Sequence, residues 1–392
     1  MMKKTTLNSL AALAAAAALP VHAESAPTES AISYRFSQYQ ESDLPEERTF
    51  SETTERYAID VHQVGYRRPL AGDWYLRSEL QYETMSGASP MQTYQNAEGQ
   101  SVVLMSGASI DESRVDLKLA PTRYFSGKVD GSLGGNLAMS FENDYQSVAV
   151  GADGTLNILD NHTTLLGSVS LSRDTLAPTD AFLSAEREAA DGRMKRSFSV
   201  YQAVSQVIDQ NNVIQVGGGF TRLSGYLSDP YKFEDNRPNE RSQYTITAQY
   251  RRYMPVRSGA ALHADYRFYS DSWGMVSNTF TARWAQKLEA GAVDFHITPM
   301  ARYYRQTQAK FYSLNIAPPE GDFSSSDYRL SSYASINLGL EARAAYKRWE
   351  LSFDFQQYLA DEDMMIIQVP ESETPALVDY TVVSVGIEYK TF

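Results

Sequence analysis

The chain has 392 residues, no cysteine, five histidines and a formal net charge of −13. The absence of cysteine excludes disulfide-stabilised scaffolds, thiolate metal sites and cysteine nucleophiles, and the negative charge argues against nucleic acid as a partner. The mean hydropathy of −0.40 is usual for a soluble protein, but it also fits a membrane β-barrel, in which polar inward side chains offset the apolar outward ones.

The first 23 residues have the features of a secretory signal peptide. Lys3 and Lys4 precede an apolar stretch over residues 7–19, and Val21-His22-Ala23 follows at the position of a cleavage site. The apolar stretch is too short to span a membrane as a helix. We therefore expect residues 1–23 to be removed on export and residues 24–392 to form a single domain.

Polar and apolar side chains alternate along most of the remaining chain. Between residues 260 and 269, apolar side chains occupy the even positions, and His263, Asp265 and Arg267 occupy odd ones. A period of two places successive side chains on opposite faces of a β-strand. Sixteen segments show this pattern, at residues 30–40, 56–66, 73–85, 110–121, 128–142, 145–158, 162–173, 196–208, 212–226, 241–253, 259–270, 276–287, 292–305, 330–346, 348–359 and 379–390.

The length of these segments favours a membrane barrel over a soluble β-sandwich, which would show the same alternation. Twelve residues at about 3.3 Å each, tilted by about 40°, rise roughly 30 Å, enough to cross the apolar band of an outer membrane. Strands of globular proteins have about five or six residues. Short turns, such as 347–348, alternate with long loops, such as 306–328. The pattern predicts an all-β, transmembrane antiparallel up-and-down barrel of about 16 strands, with short periplasmic turns and long extracellular loops.

If the apolar faces contact lipid, the opposite faces line the lumen and carry charges of both signs. The candidate lumen residues are Arg77, Glu79, Arg114, Asp116, His263, Asp265, Arg267, Arg283, Glu341 and Arg343, together with Arg56, Asp60 and Asp354. These side chains either pair across neighbouring strands and stabilise a hydrated lumen, or they form a selective pore. About sixteen strands can enclose an aqueous channel, which loop 86–109 or loop 174–195 would plug by folding inward.

Five short strings occur in order through most of the chain: SGASP at 86–90, SFENDY at 140–145, GYLSDPYK at 225–232, RPNER at 237–241 and DSWG at 271–274. They resemble a family of bacterial outer-membrane proteins known only as domain of unknown function 3570. The resemblance implies a β-barrel of the Gram-negative outer membrane. Genes of that family often lie beside periplasmic flavinylation and thioredoxin-like components, which implies at most a link to extracytoplasmic electron transfer. No catalytic residue and no cofactor come with the resemblance.

Most of these strings lie at the outer ends of predicted strands or in the long loops. The candidate rim residues there are Glu142, Asp144, Asp229, Tyr231, Arg237, Arg241, Asp271 and Trp273. Arg237 and Arg241 are predicted to pair with Asp229 or Asp271, which would either staple the rim or form a recognition site at the entrance. The acidic loops suit hard cations, but they equally suit a surface of lipopolysaccharide with its bridging ions, so no metal site is assigned.

The sequence favours a channel or transporter-like barrel for small solutes or ions. The alternative is a non-conducting barrel that anchors or serves a periplasmic redox or flavinylation system. An enzyme is not expected, because His263 and Asp265 share a lumen face without a serine motif beside them. The expected partners are outer-membrane lipid, lipopolysaccharide and the barrel-insertion machinery. A periplasmic protein is a further candidate partner. Phe392 is out of phase with the apolar face of the last predicted strand.

Overall fold

A computed structural model describes residues 26–49, 51, 53–106, 112–179, 181–314, 319, 321–365 and 376–391. The predicted signal peptide and Phe392 lie outside the described residues. Within them, no helix is long and apolar enough to cross a membrane.

The described residues form eighteen β-strands. Their bounds are β1 Ser30–Glu41, β2 Ala58–Leu70, β3 Trp74–Ser86, β4 Pro90–Gln95, β5 Ser101–Met105, β6 Glu112–Phe125, β7 Asp130–Glu142, β8 Tyr145–Ile158, β9 Thr163–Leu176, β10 Met194–Asp209, β11 Asn212–Gly225, β12 Glu240–Met254, β13 Ala260–Asp271, β14 Val276–Ala290, β15 Val293–Gln306, β16 Tyr333–Tyr346, β17 Trp349–Asp361 and β18 Tyr380–Thr391. One short helix, α1, covers Ala185–Ala190. Single 3-10 turns lie at Glu46–Arg48, Ala181–Leu183 and Tyr328–Leu330.

Sixteen of these strands close into one antiparallel barrel, in which each strand pairs with its neighbours in the chain and β3 pairs with β6. The first and last strands close the ring, with Ser30 opposite Thr391 and Glu41 opposite Tyr380. Each barrel strand overlaps one predicted segment, so the predicted fold class is confirmed. Closure satisfies the backbone hydrogen bonds of every strand, which a sheet inside a membrane requires.

The hairpin β4–β5 was not predicted and lies in a segment that the sequence suggested was a loop. Its strands have six and five residues, too short to show a convincing period. Val102 and Val103 are both almost fully buried, so neither face of β5 has the exposed polar side chains that would reveal a strand by alternation.

The barrel wall carries its large apolar side chains on the outside. Ile246, Leu338 and Leu351 are each more than half exposed on the outer face, as expected of side chains that meet lipid. The clusters of buried apolar side chains lie elsewhere, mostly at the end of the barrel from which the long loops emerge. We call this the long-loop end and the opposite end the short-turn end.

One predicted inward position is wrong. Asp60 shares the outward face of β2 with Val64 and Tyr66, whose side chains are both exposed, because residues two apart in a strand point the same way. It lies at the long-loop end of β2. Arg56 precedes this strand, and its buried guanidinium pairs with Glu41 at 3.0 Å, so it belongs to the loops rather than to the wall.

Candidate functional site

The structure places the ten candidate residues Arg77, Glu79, Arg114, Asp116, His263, Asp265, Arg267, Arg283, Glu341 and Arg343 on the inner wall, by alternation with the exposed apolar face. Several of them form ion pairs across neighbouring strands. Arg114 of β6 lies 2.8 Å from Glu83 and 3.1 Å from Asp116. On the other side of the barrel, Asp265 of β13 bridges two arginines of the adjoining strands, at 2.5 and 3.0 Å.

The inner wall is open to water towards the short-turn end. Lys118 and Glu79 pair at 3.2 Å and remain 51% and 39% exposed, although both point inward. Arg343 is 48% exposed in the same half of the barrel. Inward side chains with this exposure require a water-filled space, so the lumen is hydrated there.

At the long-loop end, three loop segments meet across the mouth of the barrel. We define the lid as residues 87–106, 226–239 and 321–332, which connect β3 to β6, β11 to β12 and β15 to β16. Lys232 donates from Nζ to the carbonyl oxygen of Pro90 at 2.9 Å, and the amide of Thr93 donates to the hydroxyl of Ser326 at 3.0 Å. All three segments are therefore bonded to one another.

Tyr231 lies at the centre of the lid. It packs against Tyr57 and Ile59, although β2 lies seven strands away from β11 around the ring. Its hydroxyl donates to Asp144, and Arg187 of α1 lies 5.1 Å from the ring centre. Burial raises the pKa of Tyr231 to about 12, so the hydroxyl remains a donor at neutral pH. The segment 226–239 thus crosses the mouth from one wall to the opposite one.

A buried network of charges joins two segments of the lid. Asp327 accepts hydrogen bonds from Arg237 and from Nε of Arg329, both at 2.8 Å. Arg329 reaches Asp229 at 3.0 Å, and Arg237 reaches Asp235 at 2.9 Å. The residues Asp229, Arg237 and Asp327 are each at most 4% exposed. Burial would raise the pKa of Asp327, but its cationic neighbours hold it well below its usual value, so it carries a negative charge at neutral pH.

A second ion pair lies beside the lid. Arg241 donates from Nε to Asp271 at 2.8 Å, and its guanidinium lies 4.2 Å from the ring centre of Trp273. This is one of the pairs that the sequence predicts. Arg237 pairs instead with Asp235 and Asp327, neither of which the sequence singled out.

We expect Asp271→Asn to lower the heat stability of the barrel, because it leaves Arg241 without its buried partner. Breaking such a pair costs about 3–5 kcal/mol. The measurement is the temperature at which the folded band disappears in heat-modifiable gel migration. Glu240→Gln is a matched control, since Glu240 and Arg222 pair at 3.0 Å but are both more than half exposed, and such pairs contribute about 0–1 kcal/mol. Lowered heat stability with unaltered permeation would leave Asp271 a purely structural residue of the rim.

Three carboxylates form a compact group near the lid. One ligand oxygen from each of Glu112, Glu142 and Asp144 lies within 4.8 Å of the others, a donor set that hard divalent cations accept. Glu142 also lies 3.8 Å from Arg114, and Asp144 accepts the bond from Tyr231. These contacts account for two of the three charges by interactions within the protein.

The sequence anticipated part of the lid. It named loop 86–109 as one of two possible plugs, and residues 87–106 do belong to the lid. The other, loop 174–195, contributes α1, which packs at the side of segment 226–239 through Arg187. The segment 321–332 was missed. Its signal is the triplet Asp327-Tyr328-Arg329, two opposite charges that flank a tyrosine in a loop.

Comparisons with known proteins agree with the fold. Solved structures with similar folds include a bacterial polysaccharide outer-membrane secretin (TM-score 0.49, 10% identity, covering 92% of this chain and 98% of that one). Others are OpdK from Pseudomonas aeruginosa (0.41, 7%, 93% and 98%) and BamA from Haemophilus ducreyi (0.41, 10%, 91% and 70%). The barrel is of the kind found in outer-membrane proteins of Gram-negative bacteria, and nothing about activity follows from these scores.

No curated protein matches the sequence. A family model does match it, over residues 5–369, and is described as "Protein of unknown function (DUF3570)". Since the match covers nearly the whole chain, the protein belongs to the DUF3570 family.

Proposed function

We propose that the protein is a pore for small solutes or ions in the outer membrane of a Gram-negative bacterium, and that the lid limits its conductance. The observation that carries this proposal is the hydrated, charged inner wall, which ends at a lid of three loops. A wall that served only to anchor the chain in lipid would need no such water-filled space.

The size of the barrel supports the proposal. Barrels of sixteen strands can leave an aqueous channel, and the inner charges of both signs, such as Arg114 and Asp116, keep that channel wet. The exposed apolar outer wall suits outer-membrane lipid, with lipopolysaccharide at the long-loop end. We propose that the barrel-insertion machinery places the protein there with its short turns in the periplasm, where a partner protein would have access to them.

Catalysis is not part of the proposal. His263 faces Arg251 and Arg283 on the neighbouring strands, and Asp265 is engaged by both arginines. It is therefore held by charges rather than oriented to activate a histidine, as a catalytic base would require.

The test is single-channel recording of the purified protein in a planar bilayer in potassium chloride. We expect small, stable current steps with ion selectivity, because the lid narrows one mouth of a hydrated lumen. Silence of both the natural protein and a lid-opened variant, with the barrel shown intact by heat-modifiable gel migration, would overturn the proposal.

The lid also gives substance to a second candidate, a non-conducting barrel that serves a periplasmic redox or flavinylation system. A mouth that is bonded shut suits a barrel with no transport role. The two candidates differ in the lid-opened variant, which conducts only if a continuous lumen lies beneath.

A further inference from the structure

A cavity of about 280 Å³ lies between the lid and the inner wall formed by β9 to β16. Its lining includes five cationic side chains and, among the described residues, no carboxylate: the cations are Lys195, Arg237, Arg241, Arg267 and Arg329. A volume near the lower end of the range for ligand pockets admits a molecule of roughly ten heavy atoms. A lining of this composition favours an anion.

Arg267 differs from the other four cations. Lys195 pairs with Asp174, and Arg241 pairs with Asp271, whereas the two lid arginines share the carboxylates of the buried network. Among the described residues, no carboxylate lies within 4 Å of the Arg267 guanidinium; its contact is with the ring of Tyr269, at 5.9 Å. A half-buried guanidinium without a counter-charge, lining a cavity without acids, is a site prepared for an external anion.

A second polar atom in the cavity lacks a partner. Gln243 of β12 is only 8% exposed, and its Oε1 atom accepts no hydrogen bond from the described residues. A buried carbonyl oxygen without a donor costs roughly 1–3 kcal/mol, a cost that a bound hydroxyl or amine would remove. Gln243 lines the same cavity as Arg267, on the adjoining strand.

The remaining walls of the cavity are aromatic. Trp273 is almost fully buried and is packed between Arg241 and Phe311, at 4.2 and 5.1 Å between centres. Tyr269 and Tyr304 line the wall beneath it. Flat apolar walls of this kind accept an aromatic ring, because offset and edge contacts between rings add to the burial of apolar area.

We propose that this cavity binds a small aromatic carboxylate that carries a hydrogen-bond donor on its ring. The carboxylate pairs with Arg267, the ring lies against Trp273 and Tyr269, and the donor bonds to Oε1 of Gln243. Taking the bound anion as the transported solute rests on the proposed function. Binding and conduction are measured separately, so either can fail without the other.

The experiment is isothermal titration calorimetry of the detergent-solubilised full chain with 4-hydroxybenzoate. We expect saturable binding that is at least tenfold weaker for the neutral 4-hydroxybenzamide, which lacks the charge for Arg267, and no binding of inorganic phosphate, which lacks the ring. Arg267→Gln should weaken binding at least tenfold. Arg302→Gln is the matched control, because Arg302 also points inward and bonds to Thr281 at 3.3 Å but does not line the cavity; it should change affinity less than twofold.

Gln243→Met separates the second contact from the first. It should weaken binding of 4-hydroxybenzoate severalfold and leave binding of benzoate unchanged, a difference that a general loss of folding would not produce. Each variant is checked for an intact barrel by heat-modifiable gel migration. The proposal is overturned if the intact natural protein binds no 4-hydroxybenzoate, if the amide binds as well as the acid, or if Arg302→Gln weakens binding as much as Arg267→Gln.

Discussion

Substitution of Asp327 by asparagine is expected to open the lid and raise the single-channel conductance severalfold. Asp327 is the carboxylate at which Arg237 and Arg329 converge, and it is almost fully buried. Asparagine keeps the shape but removes the charge, so both guanidinium groups lose a buried partner. Breaking a buried pair costs about 3–5 kcal/mol, which lowers the ratio of closed to open lid by about two to three orders of magnitude.

The opening can also be followed by proteolysis. Lys232 is 4% exposed in the closed lid, and trypsin would cut after it only when segment 226–239 leaves the mouth. We expect rapid cleavage at Lys232 in Asp327→Asn and slow cleavage in the natural protein. Glu240→Gln, which breaks only the exposed pair with Arg222, is the control and should behave as the natural protein does. Cleavage at Lys232 without a change in current would show that the lid opens but does not limit conduction.

The barrel wall could be predicted from the sequence because its determinants are local. A side chain two positions along a strand faces the same side, so Ala260 to Asp271 reveals its strand and its inward charges without knowledge of any other strand. The error at Asp60 arose because polar character alone was taken as a sign of inward orientation. At the long-loop end of a strand, above the apolar band, an outward carboxylate meets water and carries no penalty.

The lid could not be predicted in the same way, because its determinants are distant in sequence. Lys232 bonds to Pro90 across 142 positions, and Arg329 to Asp229 across 100 positions. No period in the chain records such contacts. The arginines and aspartates of the lid resemble the charges of any solvated loop until the barrel brings their strands together. The cavity at Arg267 is subject to the same limit: its strand position could be read from alternation, but the absence of a carboxylate nearby could not.

Removal of segment 226–239 should have the largest effect on conductance. The amide of Gly225 donates to the carbonyl oxygen of Asn239 at 2.9 Å, so the ends of the segment already lie side by side. A four-residue Gly-Ser-Gly-Ser turn in place of residues 227–238 can therefore join β11 to β12 without distorting the wall. The replacement removes every contact that carries the lid across the mouth, including those of Tyr231 and Lys232.

We expect this variant to conduct more than Asp327→Asn, because the segment is absent rather than released. The matched control replaces residues 178–190 with the same turn, which is feasible because the amide of Leu176 donates to the carbonyl oxygen of Arg193 at 2.9 Å. That change removes α1 and the Arg187 contact but leaves the buried network intact, so conductance should rise little. If both replacements conduct alike, the lid is not the limiting element. If neither conducts although the barrel is intact, the lumen is closed below the lid, and the scaffolding function becomes the better account.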